Sequence, residues 1–120
     1  MKRVLIVDDD IDILDVLKVV LKFHGFEVIT TQTGNNVISE SISFSPDLIL
    51  LDVFLSGIDG RDICNTLKEN PETKKIPVIM FSAHSNKNEI LQYCNADDFI
   101  AKPFDINDLV GKINGLIGLN

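Results

Sequence analysis

Three aspartates in a row, Asp8-Asp9-Asp10, follow the apolar run at residues 4–7, and a fourth, Asp52, follows the run at 48–51. Ser82-Ala83 comes after the run at 78–81, and Lys102-Pro103 after the run at 98–101. Carboxylates gathered in a low dielectric raise one another's pKa unless a cation joins them. A hard divalent ion resolves that repulsion: Mg2+ takes one or two carboxylates in octahedral oxygen coordination and keeps waters that a phosphate can displace. Capping of the following helix accounts for either Asp9 or Asp10, but leaves the other aspartates and Asp52 unexplained. A lysine or a serine after a strand is commonplace when taken alone. Taken together, a carboxylate nucleophile, a metal bridging oxygens, a hydroxyl and an ammonium make a site for phosphoryl chemistry. The Pro103 neighbour matters too, because an X-Pro bond admits the cis isomer and so can set the direction of Lys102.

These side chains meet only if the runs before them are strands of one sheet. Val4-Leu5-Ile6-Val7, Leu48-Ile49-Leu50-Leu51 and Val78-Ile79-Met80-Phe81 are apolar throughout, as expected for parallel strands covered on both faces. Glu27-Val28-Ile29-Thr30 and Asp98-Phe99-Ile100-Ala101 are more polar and belong nearer the edges. The intervening segments carry apolar stripes at helical spacing: Leu14, Leu17, Val20 and Leu21; Val37, Ile38 and Ile42; Ile63 and Leu67; Ile90, Leu91 and Cys94; Ile106, Leu109, Val110, Ile113 and Leu116-Ile117. Strand and helix alternate five times, which predicts an α/β sheet with helices on both faces and right-handed crossovers. In such a sheet, ligands sit outside the carboxyl ends of the strands, where the aspartates, Ser82 and Lys102 fall.

Composition sets outer limits. The 120 residues make one domain, 1–120, large enough to bury a core without staples. A net charge of −7 argues against nucleic-acid binding and against a basic membrane-surface face. Cys64 and Cys94 are too few for a disulfide scaffold and read as small buried hydrophobes. The apolar start is too short for a signal peptide or a membrane span, so the expected location is cytoplasmic.

The motifs VDDD, LILLDVFLSGIDG, VIMFSA and ADDFIAKPF, in that order, resemble those of the receiver domain of bacterial two-component response regulators. The resemblance covers essentially the whole chain. It implies a flavodoxin-like, doubly wound, five-stranded parallel sheet in order 2-1-3-4-5. It also implies that Asp52 is the phosphoacceptor. Asp8 and Asp9 would hold Mg2+ or Mn2+ together with Asp52 and the backbone carbonyl of Phe54, and Ser82 and Lys102 would bind the phosphoryl oxygens. Phe99 falls at the aromatic switch position. It would swing inward as Ser82 moves, reshaping the face made by the fourth helix, fifth strand and fifth helix. The implied partners are a sensor histidine kinase or a histidine phosphotransfer protein, and downstream a protein target or an output domain not present in this chain. The same face is where a homodimer would form.

Four departures from the family pattern stand out. Leu55-Ser56 replaces Met-Pro after the phosphoacceptor, so the loop loses the ring that fixes φ and is expected to be looser. The switch residue is Phe, which acts through packing alone. Asn95 stands where Gly is frequent, and Asn tolerates the left-handed conformation. Phe54 and His84 occupy the positions that gate the hydrolytic water; both are bulky, which implies a long-lived phosphoryl group. Two other readings compete. An aspartyl-phosphate phosphohydrolase would carry a second Asp two residues after the nucleophile, where this chain has Phe54. A non-phosphorylated protein-binding module would not need the complete site.

Overall fold

Along the three central strands, successive side chains enter two different cores. Leu5 and Val7, Ile49 and Leu51, and Val78 and Met80 pack on one face of the sheet with Val37, Ile63, Cys64, Leu67 and Ile90. Val4 and Ile6, Leu48 and Leu50, and Ile79 and Phe81 pack on the other with Leu14, Leu17, Leu21, Leu109 and Ile113. Period-two alternation with both faces covered explains why these runs are apolar throughout. Each fully buried Leu or Ile contributes about 1.5–3 kcal/mol of transfer free energy.

The chain is described here by a computed structural model covering residues 1–83 and 87–118. Its elements are β1 (Arg3–Val7), α1 (Ile11–Phe23), β2 (Glu27–Thr31), a 3-10 turn (Gly34–Asn36), α2 (Val37–Phe44), β3 (Leu48–Asp52), β4 (Phe54–Leu55), β5 (Ile58–Asp59), α3 (Gly60–Glu69), β6 (Val78–Ser82), α4 (Lys87–Tyr93), β7 (Asp98–Ala101) and α5 (Ile106–Ile117). The main sheet runs β2-β1-β3-β6-β7, and every pairing in it is parallel. With the β4–β5 hairpin set aside, that is the expected 2-1-3-4-5 order, with the two more polar strands at the edges. Helices α1 and α5 cover one face; α2, α3 and α4 cover the other. Among the described residues, no helix is long and apolar enough to cross a membrane.

The helix ends follow local chemistry. Asp10 caps α1, its carboxylate accepting from the N–H groups of Asp12 and Ile13, and Gly25 at φ 91° lets the chain leave. Asp59 caps α3 and Asp105 caps α5 in the same way. Two expectations need correction. Ile42 is exposed and does not belong to the α2 stripe; Ser41 is buried instead, its hydroxyl donating to the Val37 carbonyl at 2.6 Å. That bond satisfies the hydroxyl and so lets Ser41 face the interior. Asn95 is not in the left-handed region, so its tolerance of that region is not used. Its N–H donates to the Asn65 side chain instead.

Candidate functional site at the carboxyl rim of the sheet

Asp8 follows β1 and lies entirely out of solvent, at 0% exposure. Both of its oxygens are partnered. Oδ1 accepts from the Asp10 N–H at 2.8 Å, and Oδ2 accepts from Lys102 Nζ at 2.7 Å. Asp52 ends β3 at 5% exposure, with Oδ1 accepting from the Phe54 N–H at 3.3 Å and Oδ2 from Lys102 Nζ at 3.2 Å. One ammonium therefore serves two carboxylates carried by adjacent strands. Its reach from β7 across β6 is supported from below, because Nζ sits 4.5 Å from the centroid of the Phe81 ring. Lys102-Pro103 is a cis peptide.

The electrostatics follow from this burial. Desolvation, and then the charge of Asp8, push the Asp52 carboxyl up from 3.8 to about 6, against the opposing pull of Lys102 and the Phe54 N–H. Burial disfavours the Lys102 ammonium, but its bonds to Asp8 and Asp52 outweigh that and hold its pKa above the ordinary lysine value. Burial and the Asp8 charge thus disfavour the Asp52 anion, beside a lysine that stays charged.

Asp8, Asp9 and Asp52 each turn a carboxylate oxygen into a group whose members lie within 4.8 Å of one another. An all-oxygen donor set of this kind suits a hard octahedral cation such as Mg2+ or Mn2+ rather than a thiolate- or imidazole-seeking metal. Asp10 stands apart: it is the aspartate spent on capping. Ser82 ends β6, fully buried, and pairs in register with Ala101. The backbone N–H of Lys102 donates to the Ser82 carbonyl at 2.9 Å, which places the two functional strand ends side by side.

The segment after Asp52, where Leu55-Ser56 replaces Met-Pro, forms a short hairpin. Phe54 and Leu55 pair antiparallel with Asp59 and Ile58, and Ser56-Gly57 closes the hairpin, with Gly57 at φ 72°. The Ser56 hydroxyl donates to Asp9 Oδ2 at 2.9 Å. The chain then returns to its start: the Gly60 N–H donates to the Val53 carbonyl at 2.7 Å, and a Cβ added at Gly60 would overlap the Asp52 carbonyl oxygen. Gly60 is therefore glycine because the backbone of Asp52 passes where a side chain would be. Ser56 as a partner of Asp9 and Gly60 as a spacer for Asp52 are the site residues that sequence reasoning missed. The Ser56–Asp9 bond spans 47 residues and leaves no local pattern, whereas Gly60 closes the motif that begins before Asp52 and its need shows only in how closely the hairpin returns.

Phe54 is 54% exposed, and Phe99 is buried in the core cluster that includes Cys64, Ile90 and Cys94. His84, the second gating residue, lies outside the described residues. Cys64 and Cys94 are both buried and free, as expected, with Cys94 one residue past α4.

Comparison with known proteins agrees with this geometry. A response regulator from Chloroflexus aurantiacus superposes with a TM-score of 0.90 at 32% identity, with 98% of each chain covered. Response regulator protein TrrA from Thermotoga maritima, solved in complex with Mg2+-BeF, superposes at 0.87 with 30% identity, covering 97% of this chain and 99% of that one. Among curated proteins, the DNA-binding dual master transcriptional regulator RpaA of Synechocystis is 33% identical over 119 residues, which is 98% of this chain and 49% of RpaA. The chain spans about half the length of such curated relatives. The family model described as the response regulator receiver domain matches residues 4–114, and the chain belongs to that family.

Proposed function

We propose that this receiver domain is a phosphorylation switch in which Asp52 accepts a phosphoryl group from a phosphohistidine of a sensor kinase or histidine phosphotransfer protein. The supporting observation is the shared ammonium: Lys102 lies within hydrogen-bonding reach of both Asp8 and Asp52 at the rim where three carboxylates converge. Asp8, Asp9 and Asp52, with the carbonyl of Phe54, are the residues that would hold Mg2+ or Mn2+. Bound there, the ion neutralises charge on the transferring oxygens.

The chain's own residues do the rest. An Asp52 oxygen forms a bond to phosphorus as the phosphorus–nitrogen bond of the donor breaks, and the electron pair leaves on the imidazole nitrogen. Lys102, already in place and charged, exchanges its bond to Asp52 for one to a phosphoryl oxygen. The Ser82 hydroxyl donates to another oxygen. Phe99 and the face built by α4, β7 and α5 would transmit the change to a protein target, an attached output domain or a second copy of the chain, all in the cytoplasm. The protein catalyses only its own phosphorylation and dephosphorylation, not turnover of a small substrate. The test is intact-mass measurement after incubation with Mg2+ and acetyl phosphate. A phosphoryl adduct on the wild type that is absent in Asp52→Asn is expected; an equal adduct in both would overturn the assignment.

A further inference from the structure

The Ser56 hydroxyl is 47 residues from Asp9 in sequence and 2.9 Å from its Oδ2 in space. It projects from the turn of the β4–β5 hairpin, which begins two residues after Asp52. Asp9 is the exposed member of the carboxylate group, whereas Asp8 is fully buried and already held by the Asp10 N–H and Lys102. Among the contacts described, Ser56 is what fixes the Asp9 carboxylate. A carboxylate accepts through two oxygens, so a bond to Oδ2 leaves the other oxygen for a cation and sets the plane in which it points. Outer partners of this kind orient metal-binding carboxylates and change metal affinity when removed.

We infer that Ser56 is a positioning residue for the divalent cation, orienting Asp9 from the turn that follows the phosphoacceptor. This rests on the reading of Asp9 as a ligand made under Proposed function. The backbone supports a clean test, because Ser56 is not in the left-handed region and the turn's positive φ is carried by Gly57. Alanine can therefore replace Ser56 without backbone strain, and threonine keeps the hydroxyl.

The experiment is a Mn2+ titration of metal-stripped protein, followed by the electron paramagnetic resonance signal of the free ion, with Mg2+ as competitor. Ser56→Ala is expected to bind both ions about 3- to 10-fold more weakly than wild type, at the low end of such effects because the bond is exposed. Ser56→Thr is expected to recover most of the affinity, and melting of both variants in EDTA to match wild type. Unchanged affinity in Ser56→Ala would overturn the inference, as would equal losses in the Ala and Thr variants, which would place the effect in the turn rather than the hydroxyl. Asp9→Asn serves as the check on the underlying reading: if it binds as wild type does, Asp9 is no ligand and the failure lies there.

Discussion

The Lys102 ammonium sits 2.7 Å from Asp8, a carboxylate with no solvent exposure. Neither charge is tolerable there alone. Removing one partner of a buried pair costs more than the pair is worth, because the survivor stays desolvated. Lys102→Ala is therefore expected to lower the stability of metal-free protein by about 2–4 kcal/mol at pH 7, measured by urea unfolding in EDTA. The loss should shrink at pH 5, where Asp52, already raised to about 6, takes up a proton and removes one of the two stranded charges. A loss that is the same at both pH values would contradict this account of the site.

Asp52 itself is expected to weaken the metal-free fold. Its carboxyl is held at about 6 in the folded protein against an ordinary value of 3.8. Between those values the folded chain keeps a proton that the unfolded chain has released, so stability falls as pH rises through the window, and the deficit is complete above it. Asp52→Asn carries no such deficit. It should be more stable than wild type by on the order of 1–3 kcal/mol at pH 7 in EDTA, with the gap closing below about pH 4 and narrowing when Mg2+ is added to the wild type. Paired denaturation curves across this range would check it.

Two glycines should respond in opposite ways to alanine. At Gly60 the new methyl would overlap the Asp52 carbonyl oxygen, so Gly60→Ala should cost about 2–4 kcal/mol and impair labelling of Asp52 by acetyl phosphate. At Gly111, inside α5, nothing lies within 4 Å of the new methyl. Gly111→Ala should stabilise by about 0.5–1 kcal/mol through helix propensity, with labelling unchanged. Thermal and urea unfolding of the two variants, measured side by side, make the comparison.

How much of this was legible without coordinates depended on how local each cause was. The central strands stood out because burial on both faces removes every polar residue from residues 4–7, 48–51 and 78–81. Asp10 as a cap was one of two candidates, because the rule is local to a single helix turn. The exchange of Ile42 for Ser41 in α2 was not legible, since it depends on a hydroxyl bonding back to Val37 at 2.6 Å. The β4–β5 hairpin was hidden because two residues per strand show no period. The clasp between α3 and α4, in which the Arg61 guanidinium lies 4.3 Å from the Tyr93 ring and the Tyr93 hydroxyl donates to Asp62, joins positions about thirty residues apart and leaves no trace in spacing.

Phosphoryl lifetime is the property that the family resemblance ties to the bulky Phe54 and His84. An in-line water must reach the acceptor, and bulky side chains in its path would slow that approach. The double variant Phe54→Ala with His84→Ala should lose its phosphoryl group roughly 3- to 10-fold faster than wild type, followed by phosphate release after removal of excess donor. An unchanged rate would remove both residues from the account of lifetime.

The bond from the Lys102 N–H to the Ser82 carbonyl has a mechanical consequence. The hydroxyl and the ammonium that would grip a phosphoryl group are not independent fingers. They are adjacent knuckles on one hinge, the carboxyl end of the β6–β7 pair. Any pull that draws the Ser82 backbone toward Asp52 must carry the Lys102 backbone with it or break that bond, and Phe99, three residues earlier on β7, rides the same strand. The sheet edge can therefore answer a phosphoryl group as a single lever rather than residue by residue.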